Sequence, residues 1–471
     1  MKTVLHWFRR DLRVSDNTAL AEASRRSEVV RPLFILDDDI LGAPDMGAAR
    51  VSFLLGTLRS LQRNLAALGY DLIVRRGKPE EELLKVCREI HAEAVFCNRD
   101  YEPWCVSRDS RIFNLLNAEG IGFEIFKDAV LWEESEILTK SGTPYTVFTP
   151  YSKVWKTKSV PPPRPALKHA STKPKKIASL ELPATSDALG FPLNQSIPEA
   201  GEHAAREALK KFMAKPVLSY GRLRDFPAVD ATSHLSAHLH FGAMNIRTIL
   251  SSLAAATKGV DPLSRTQADV FLNELIWREF YIQIMTNFPY VMKGSFRREC
   301  DALAWSENKE HFQRWCEGQT GYPIIDAAMR CLNATAWMHN RLRMIVAMFL
   351  TKDLLISWQW GERYFMQKLV DGDAAANNGG WQWSAGTGTD AAPYFRIFNP
   401  TSQAIKNDPD GAFIRKWVPE LSHIEGGRIH EPWKESAPVK YPGRIVLHED
   451  QRSRWLAMFQ KCKSQSAKVA E

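Results

Sequence analysis

LVDGDAAANNGGWQWSAGTGTDAAPYFRIFNP, residues 369–400, is the stretch around which the rest of the chain is organised. It carries Asp371, Asp373, Asn377, Asn378, Trp381 and Trp383 among several glycines, with almost no aliphatic bulk. Such a segment cannot drive its own burial, because it offers few apolar side chains and many backbone groups that need partners. The flanking sequence is apolar and helix-like on both sides, which places the stretch inside a domain. Polar and aromatic groups in that position line a ligand site, and glycines let backbone approach a flat ligand closely. The plainer reading is an ordered surface loop with two core tryptophans.

Working outward, helical periodicity recurs over Glu202–Met213, Met244–Ala256, Ala268–Phe288, Lys309–Glu317, Ile324–Asn333, His339–Trp358 and Glu362–Val370. Strand signals are nearly absent after Gly201, so 201–471 reads as an all-α domain, with the residues from Pro442 onward peripheral. Three of its segments carry chemistry. NELIWREFY (Asn273–Tyr281) sets Glu274, Trp277, Arg278 and Tyr281 on one helix face, a poor packing surface but a good wall for a flat polar guest. A bland surface helix fits the same spacing. WMHNRLRM (Trp337–Met344) opens a very apolar helix with Arg341 and Arg343, whose charges need anionic partners: Asp371, Asp373 or external phosphates. His339 has no second ligand at metal spacing, so no metal site is expected. YGRLRDFPAVDATSHLS (Tyr220–Ser236) joins Arg222 and Arg224 to a hydroxyl-rich turn able to cap a helix and to present N–H groups to a phosphate.

Upstream, residues 131–200 read as a linker. Its Ser159–Glu199 part holds 8 of the 26 prolines with interspersed lysines, the composition of an extended surface connector. Residues 1–130 alternate β-branched runs (Thr3–Phe8, Val29–Leu36, Asp71–Arg75, Ala94–Asn98, Gly122–Phe126) with amphipathic stretches, the pattern of a doubly wound parallel sheet. Ligands of such sheets bind beyond the carboxyl ends of the strands, but no GxGxxG or Walker A loop follows the first strand.

The whole is thus an α/β parallel-sheet N-terminal domain followed by an all-α C-terminal domain. No apolar run is long enough to span a membrane, and arginines interrupt the N-terminus too early for a signal peptide. Seven cysteines without a CxxC pair point to reduced thiols and a cytoplasmic location. A net charge of +8 suits a polyanionic partner. No nucleophile–base–acid set is visible, so a cofactor must supply the reactivity.

The segments WFRRDLRVSDN (Trp7–Asn17), NELIWREFY, TGYPIIDAAMR, WMHNRLRM, DGDAAANNGGWQW and RIFNP, in this order, closely resemble the bacterial class I cyclobutane pyrimidine dimer photolyases of the photolyase/cryptochrome family. The resemblance implies an antenna domain followed by a helical domain binding bent FAD, and light-driven electron transfer that splits pyrimidine dimers in UV-damaged DNA. It implies that Tyr220, Thr232, Ser233, His234, Leu235 and Ser236 hold the flavin phosphates and ribityl chain, with His234 standing where an arginine is often found. Asp371, Gly372 and Asp373 would lie at the isoalloxazine and ribityl side, Arg343 would pair with Asp371, and Asn377 would face flavin N5. Glu274, Trp277, Asn340, Met344 and Trp383 would form the dimer pocket, with Tyr281 on the same wall. Arg224, Arg278, Arg341, Arg396 and Gln403 would contact DNA, and Trp381, Trp358 and Trp305 would re-reduce oxidised flavin. Asn98, Asp100, Glu102 and Lys293 fall near positions for a second chromophore, methenyltetrahydrofolate or a deazaflavin. A monomer without a membrane or obligate protein partner is implied.

Three rivals are weighed. A cryptochrome shares the fold and flavin, but the retained dimer-pocket set speaks for repair. An enzyme for (6-4) photoproducts is expected to carry His-His where this chain has His339-Asn340. A nicotinamide-dependent flavin oxidoreductase needs a second nucleotide site, which is not visible.

Overall fold

The strands Thr3–Phe8 (β1), Val29–Leu36 (β2), Ile73–Arg76 (β3), Ala94–Asn98 (β4) and Gly122–Phe126 (β5) form one parallel sheet in the order β3-β2-β1-β4-β5. The computed structural model describes residues 1–171, 174–435 and 440–470, with side chains described as far as Cys462. Strand β2, VVRPLFIL, is almost wholly buried, as expected of a parallel strand covered on both faces. Helices Thr18–Arg26, Ala48–Ala67, Pro79–Ile90 and Pro103–Ala118 supply the cover. The strand order reverses between β1 and β4, so the loops after these strands, Arg9–Asp11 and Arg99–Glu102, open onto a crevice.

The helical half packs against that crevice through buried charge. Arg247 donates from Nε to Asp16 at 2.8 Å and from Nη2 to Asp128 at 2.8 Å. Arg13 also pairs with Asp128. Removing one member would strand a buried charge, which costs about 3–5 kcal/mol.

Within residues 131–200 the helix Phe148–Thr157 buries Tyr151 and Trp155, and Trp155 Nε1 donates to Glu279 at 2.7 Å. That packing ties it to the helical half. Pro150 sits in its first turn, where a missing N–H is tolerated, so proline masked the helix in the sequence. The later connector hydrogen-bonds to both halves, with Leu180 N donating to Val74 O at 2.9 Å and Ser196 N donating to Ala334 O at 2.8 Å.

Three expectations fail locally. The helix expected over His339–Trp358 ends at Met348, continues as a π turn over Phe349–Asp353, and stops at Leu355, whose φ is +55°. The central stretch is not the ordered surface loop of the plainer reading, because Ala374–Ala385 is a helix and Trp381 on it is buried. The last residues are not peripheral, because the helix His448–Ala470 buries Trp455, Phe459 and Cys462 against Cys300 and Leu303. No helix among the described residues is long and apolar enough to cross a membrane.

Candidate functional site

The long helix Pro262–Asn287 begins with Asp261 capping Ser264 N and Pro262 at its first position. Leu275, Ile276, Phe280 and Ile284 bury one side, leaving Glu274, Trp277 and Tyr281 half-buried on another. Glu274 forms an ion pair with Arg224. The next residue, Asp225, accepts from Arg341 Nη2 at 2.8 Å and Nε at 3.1 Å. Arg224 and Asp225 therefore draw two helices together, one bearing Glu274 and the other, Asn340–Met348, bearing Arg341. Burial pushes the Glu274 carboxyl upward, and the Arg224 charge pulls against it. Of the four arginines expected at DNA, Arg224 and Arg341 are thus held by carboxylates, as half-buried guanidinium groups require.

His339 has a structural job. Its Nδ1 accepts from Arg341 N at 3.2 Å and caps the helix. Burial lowers its pKa to about 4, so the ring is neutral. Asn340 is exposed, and Met344, one turn later on the same face, is half-buried.

Trp277 stacks on Phe148 at 3.8 Å and 4°, and its ring lies 5.4 Å from that of Tyr281. Tyr281 in turn sits where a Cβ on Gly379 would be, so only glycine lets the Ala374–Ala385 helix come this close. That helix carries four poor formers in a row, Asn377, Asn378, Gly379 and Gly380. Asp373 starts it by accepting from Ala376 N at 3.1 Å, and Gly386, at φ +81°, ends it. Asn377 Nδ2 donates to Glu362 O at 3.0 Å, and Asn378 Nδ2 donates to the Glu362 carboxylate at 2.8 Å. Burial raises Glu362 to about 7. Ala376 is exposed, and a Cβ on Gly380 would meet open space, so this helix has one face bare of bulk.

The two aspartates part company. Asp371 is buried and bonds Arg343 Nη2 through both oxygens, at 2.8 and 3.1 Å. Asp373 turns instead to the interdomain crevice, where Arg10 and His240 bind it. Burial pushes Asp373 upward, but Arg10, His240 and Arg278 outweigh it and hold the carboxylate well below its usual range. Gly372 lies between them, against Met366 and Arg50. Arg278 likewise lines the crevice, donating to Ala129 O at 2.7 Å.

Tyr220 is buried edge-on between Phe212 and Phe271, at 5.8 and 5.5 Å. Thr232 and Ser233 are half-buried, Leu235 is buried, and Ser236 opens a helix of five residues. His234 is exposed with φ +52°, and its Nε2 lies 2.9 Å from Asp230. Gln267 Oε1 is buried with no partner among the described residues.

The family model described as the FAD binding domain of DNA photolyase matches residues 271–461, and the model described as DNA photolyase matches residues 4–168. A deoxyribodipyrimidine photo-lyase of Salmonella typhimurium is 43% identical, covering 98% of this chain and 99% of its own. The chain belongs to the DNA photolyase family. A deoxyribodipyrimidine photo-lyase of Synechococcus is 40% identical, covering 98% of this chain and 97% of its own. Among solved structures, a class III photolyase from Agrobacterium tumefaciens superposes with a TM-score of 0.89 at 34% identity, covering 98% of both chains. A Synechocystis cryptochrome gives 0.85 at 27% identity, covering 97% of this chain and 99% of its own.

The photolyase residues present here fit a flavin. The bare Ala376/Gly380 face admits a flat ring system, Asn377 offers it an amide edge, and Thr232, Ser233 and Gln267 offer polar groups. Trp381 and Trp358 are each 2% exposed, and Trp305 is only partly buried, so the three run from core towards solvent. Trp381 lies over Gly361, one turn from Trp358, and Ser306, next to Trp305, bridges to Ile356. Trp383 is half-buried, Arg396 is exposed, and Gln403 is half-buried, its Oε1 accepting from Asn407 at 3.4 Å.

The crevice at the strand-order reversal is lined by Arg10, Asn98, Asp100, Glu102, Arg278 and Asp373, among others. Asn98 spends both amide hydrogens on Asp11 and Asn17, at 2.6 and 2.7 Å. Arg10 bridges Glu102, at 2.7 Å, to Asp373. Lys293 is exposed and does not line this crevice. The structure thus brings Asn98, Asp100 and Glu102 together and leaves Lys293 apart. Sequence reasoning missed Asp225, Glu362, Arg10 and His240, each defined by a long-range partner. Only the paired arginines of WFRRDLR signalled that carboxylates must lie opposite.

Proposed function

We propose that this chain is a deoxyribodipyrimidine photo-lyase that splits cyclobutane pyrimidine dimers in DNA under light. The observation that carries it is the contact of Tyr281 with Gly379. It joins the helix face bearing Glu274 and Trp277 to the helix bearing Asn377, so a dimer on the first face lies beside a flavin on the second.

FAD, when bound and reduced, supplies the light-excited electron donor. Tyr220, Thr232, Ser233, His234, Leu235 and Ser236 would hold its phosphate side. Arg343, Asp371, Gly372 and Asn377 would hold its ring side, with Asp373 fixing the helix start from behind. Glu274 presents a carboxyl to the polar edges of the fused bases, while Trp277, Met344 and Trp383 exclude water from them and Asn340 adds an amide. The dimer must leave the duplex to reach this pocket, because bases held in the stack cannot touch its walls.

A net charge of +8 supports a DNA partner, and binding should weaken with salt. Cys87, Cys97, Cys105, Cys300, Cys316 and Cys331 are buried thiols outside any disulfide, which supports a cytoplasmic site of action. Asp100 and Glu102 are the candidates to hold a second chromophore, methenyltetrahydrofolate or a deazaflavin, and Arg10 would have to release them. Glu274 and Asn377 come from one chain, so a monomer suffices for the reaction.

The test is to mix FAD-loaded, reduced protein with dimer-containing DNA, in blue light and in darkness, and count the dimers. Dimers should disappear only in light, and Glu274→Gln should slow the loss. Equal loss in darkness, or none in light, would end the reading.

A further inference from the structure

Lys352 is a fully buried lysine that the proposed reaction does not use. It lies on the π turn Phe349–Asp353, and turns of this kind concentrate at functional positions. Among the described residues no carboxylate pairs with it: its neighbour Asp353 gives Oδ1 to His448 at 2.6 Å. The ammonium instead donates to Arg396 O at 2.8 Å and lies 5.6 Å from the centre of the Trp455 ring. Burying an amino group against a single carbonyl is unfavourable whether or not it holds its extra proton, and a methionine would fill the same space without that cost. Something other than core packing keeps a lysine there.

The acceptor shows what that is. Arg396 N donates to Pro393 O at 2.8 Å, closing a β-turn over Pro393–Arg396. Trp455 Nε1 donates to Tyr394 O at 2.8 Å, and the Tyr394 ring stacks on Phe459 at 4.8 Å and 3°. Two donors and one ring therefore grip the turn from inside. Phe395, between the gripped carbonyls, is 63% exposed, and the Arg396 side chain is exposed beside it. An apolar ring next to a guanidinium is the pairing that wedges between base steps while meeting a phosphate.

We propose that Lys352 and Trp455 are positioning residues for damaged DNA, holding the Pro393–Arg396 turn from beneath so that Phe395 and Arg396 meet the duplex preformed. The inference rests on the reading of this chain as a DNA-binding enzyme. Preorganisation matters because a loop that must be ordered on binding loses affinity without losing any contact.

The experiment uses the FAD-loaded full chain and dark fluorescence anisotropy on a dimer-containing duplex, with Lys352→Met, Trp455→Phe, Phe395→Ala and the Lys352→Met/Phe395→Ala double variant. Lys352→Met should raise Kd about tenfold, whereas flavin content, flavin spectrum and splitting per photon at saturating DNA stay within about twofold. Trp455→Phe, which keeps the ring and removes one donor, should raise Kd in the same direction. The double variant should lose less affinity than the two single losses added together, because both changes act through one turn. Wild-type affinity in Lys352→Met and Trp455→Phe, or full additivity in the double variant, overturns the proposal. A wild-type protein that does not bind the dimer-containing duplex overturns the functional reading beneath it.

Discussion

Arg343 reaches both oxygens of the buried Asp371 carboxylate from a single Nη2 group, at 2.8 and 3.1 Å, while its Nε donates to Met338 O at 2.8 Å. The pair fixes the start of the Asp371–Trp383 segment to the helix Asn340–Met348. Arg343→Met would leave Asp371 buried without its cation. The expected cost is about 3 kcal/mol, the lower end for breaking such a pair, because Arg343 keeps some contact with solvent. Urea unfolding of the apoprotein measures it, and the FAD content of the purified variant should fall as well.

Gly379 has no room for a side chain. Gly379→Ala would drive a methyl group into the Tyr281 ring and push the two helices apart. Overpacking of this kind costs about 1–3 kcal/mol. The double variant Gly379→Ala/Tyr281→Leu should recover part of that loss. If the alanine variant unfolds at the wild-type urea concentration, the contact is looser than described.

Trp381 is buried, and its Nε1 has no partner among the described residues, so a phenylalanine removes no hydrogen bond. Trp381→Phe should slow photoreduction of oxidised flavin severalfold and leave dimer splitting by chemically reduced enzyme intact. Transient absorption follows the first and dimer counting the second. Loss of both would assign Trp381 to the cavity wall rather than to an electron path.

Lys352 gives a pH signature. Burial lowers its pKa from 10.5 to about 7, with Asp353, His448 and Arg396 as the facing charged groups. Below pH 7 the folded and unfolded chains both hold the proton, and the cost of the buried charge is fully felt. Between pH 7 and 10.5 the unfolded chain binds a proton that the folded chain has released, so the Lys352 contribution to stability rises with pH. Lys352→Met lacks this titration. Its stability advantage over wild type should therefore be largest near pH 6.5 and shrink at about 1.4 kcal/mol per pH unit above 7. Urea midpoints at several pH values measure it, and a gap constant with pH would show that the lysine is solvated.

Much of the fold was legible because local rules and tertiary packing agree there. The runs Thr3–Phe8 and Val29–Leu36 are β-branched and buried on both faces, which is what a parallel sheet demands. The Ala374–Ala385 helix was not legible. Its paired asparagines and glycines have low helix propensity, and it forms because Asp373 and Gly386 cap it and Tyr281 needs Gly379. The C-terminal helix did carry a signal, since Trp455, Phe459 and Cys462 recur at helical spacing and are all buried. The pairs Arg224–Glu274 and Arg341–Asp225 join residues 50 and 116 positions apart, distances over which no periodicity speaks. Resemblance named the residues of these pairs that face the ligands. It could not name Asp225, which holds one of them.

The central claim is that Glu274 and Asn377 face one shared space in which a pyrimidine dimer lies within electron-transfer reach of reduced flavin. Flavin emission on adding DNA tests this directly, because transfer to the dimer competes with fluorescence. Dimer-containing duplex should quench the emission of the reduced enzyme, undamaged duplex should not, and the emission should return as light consumes the dimers. Emission unchanged by saturating dimer-containing DNA would place the two ligands in separate cavities and contradict the account.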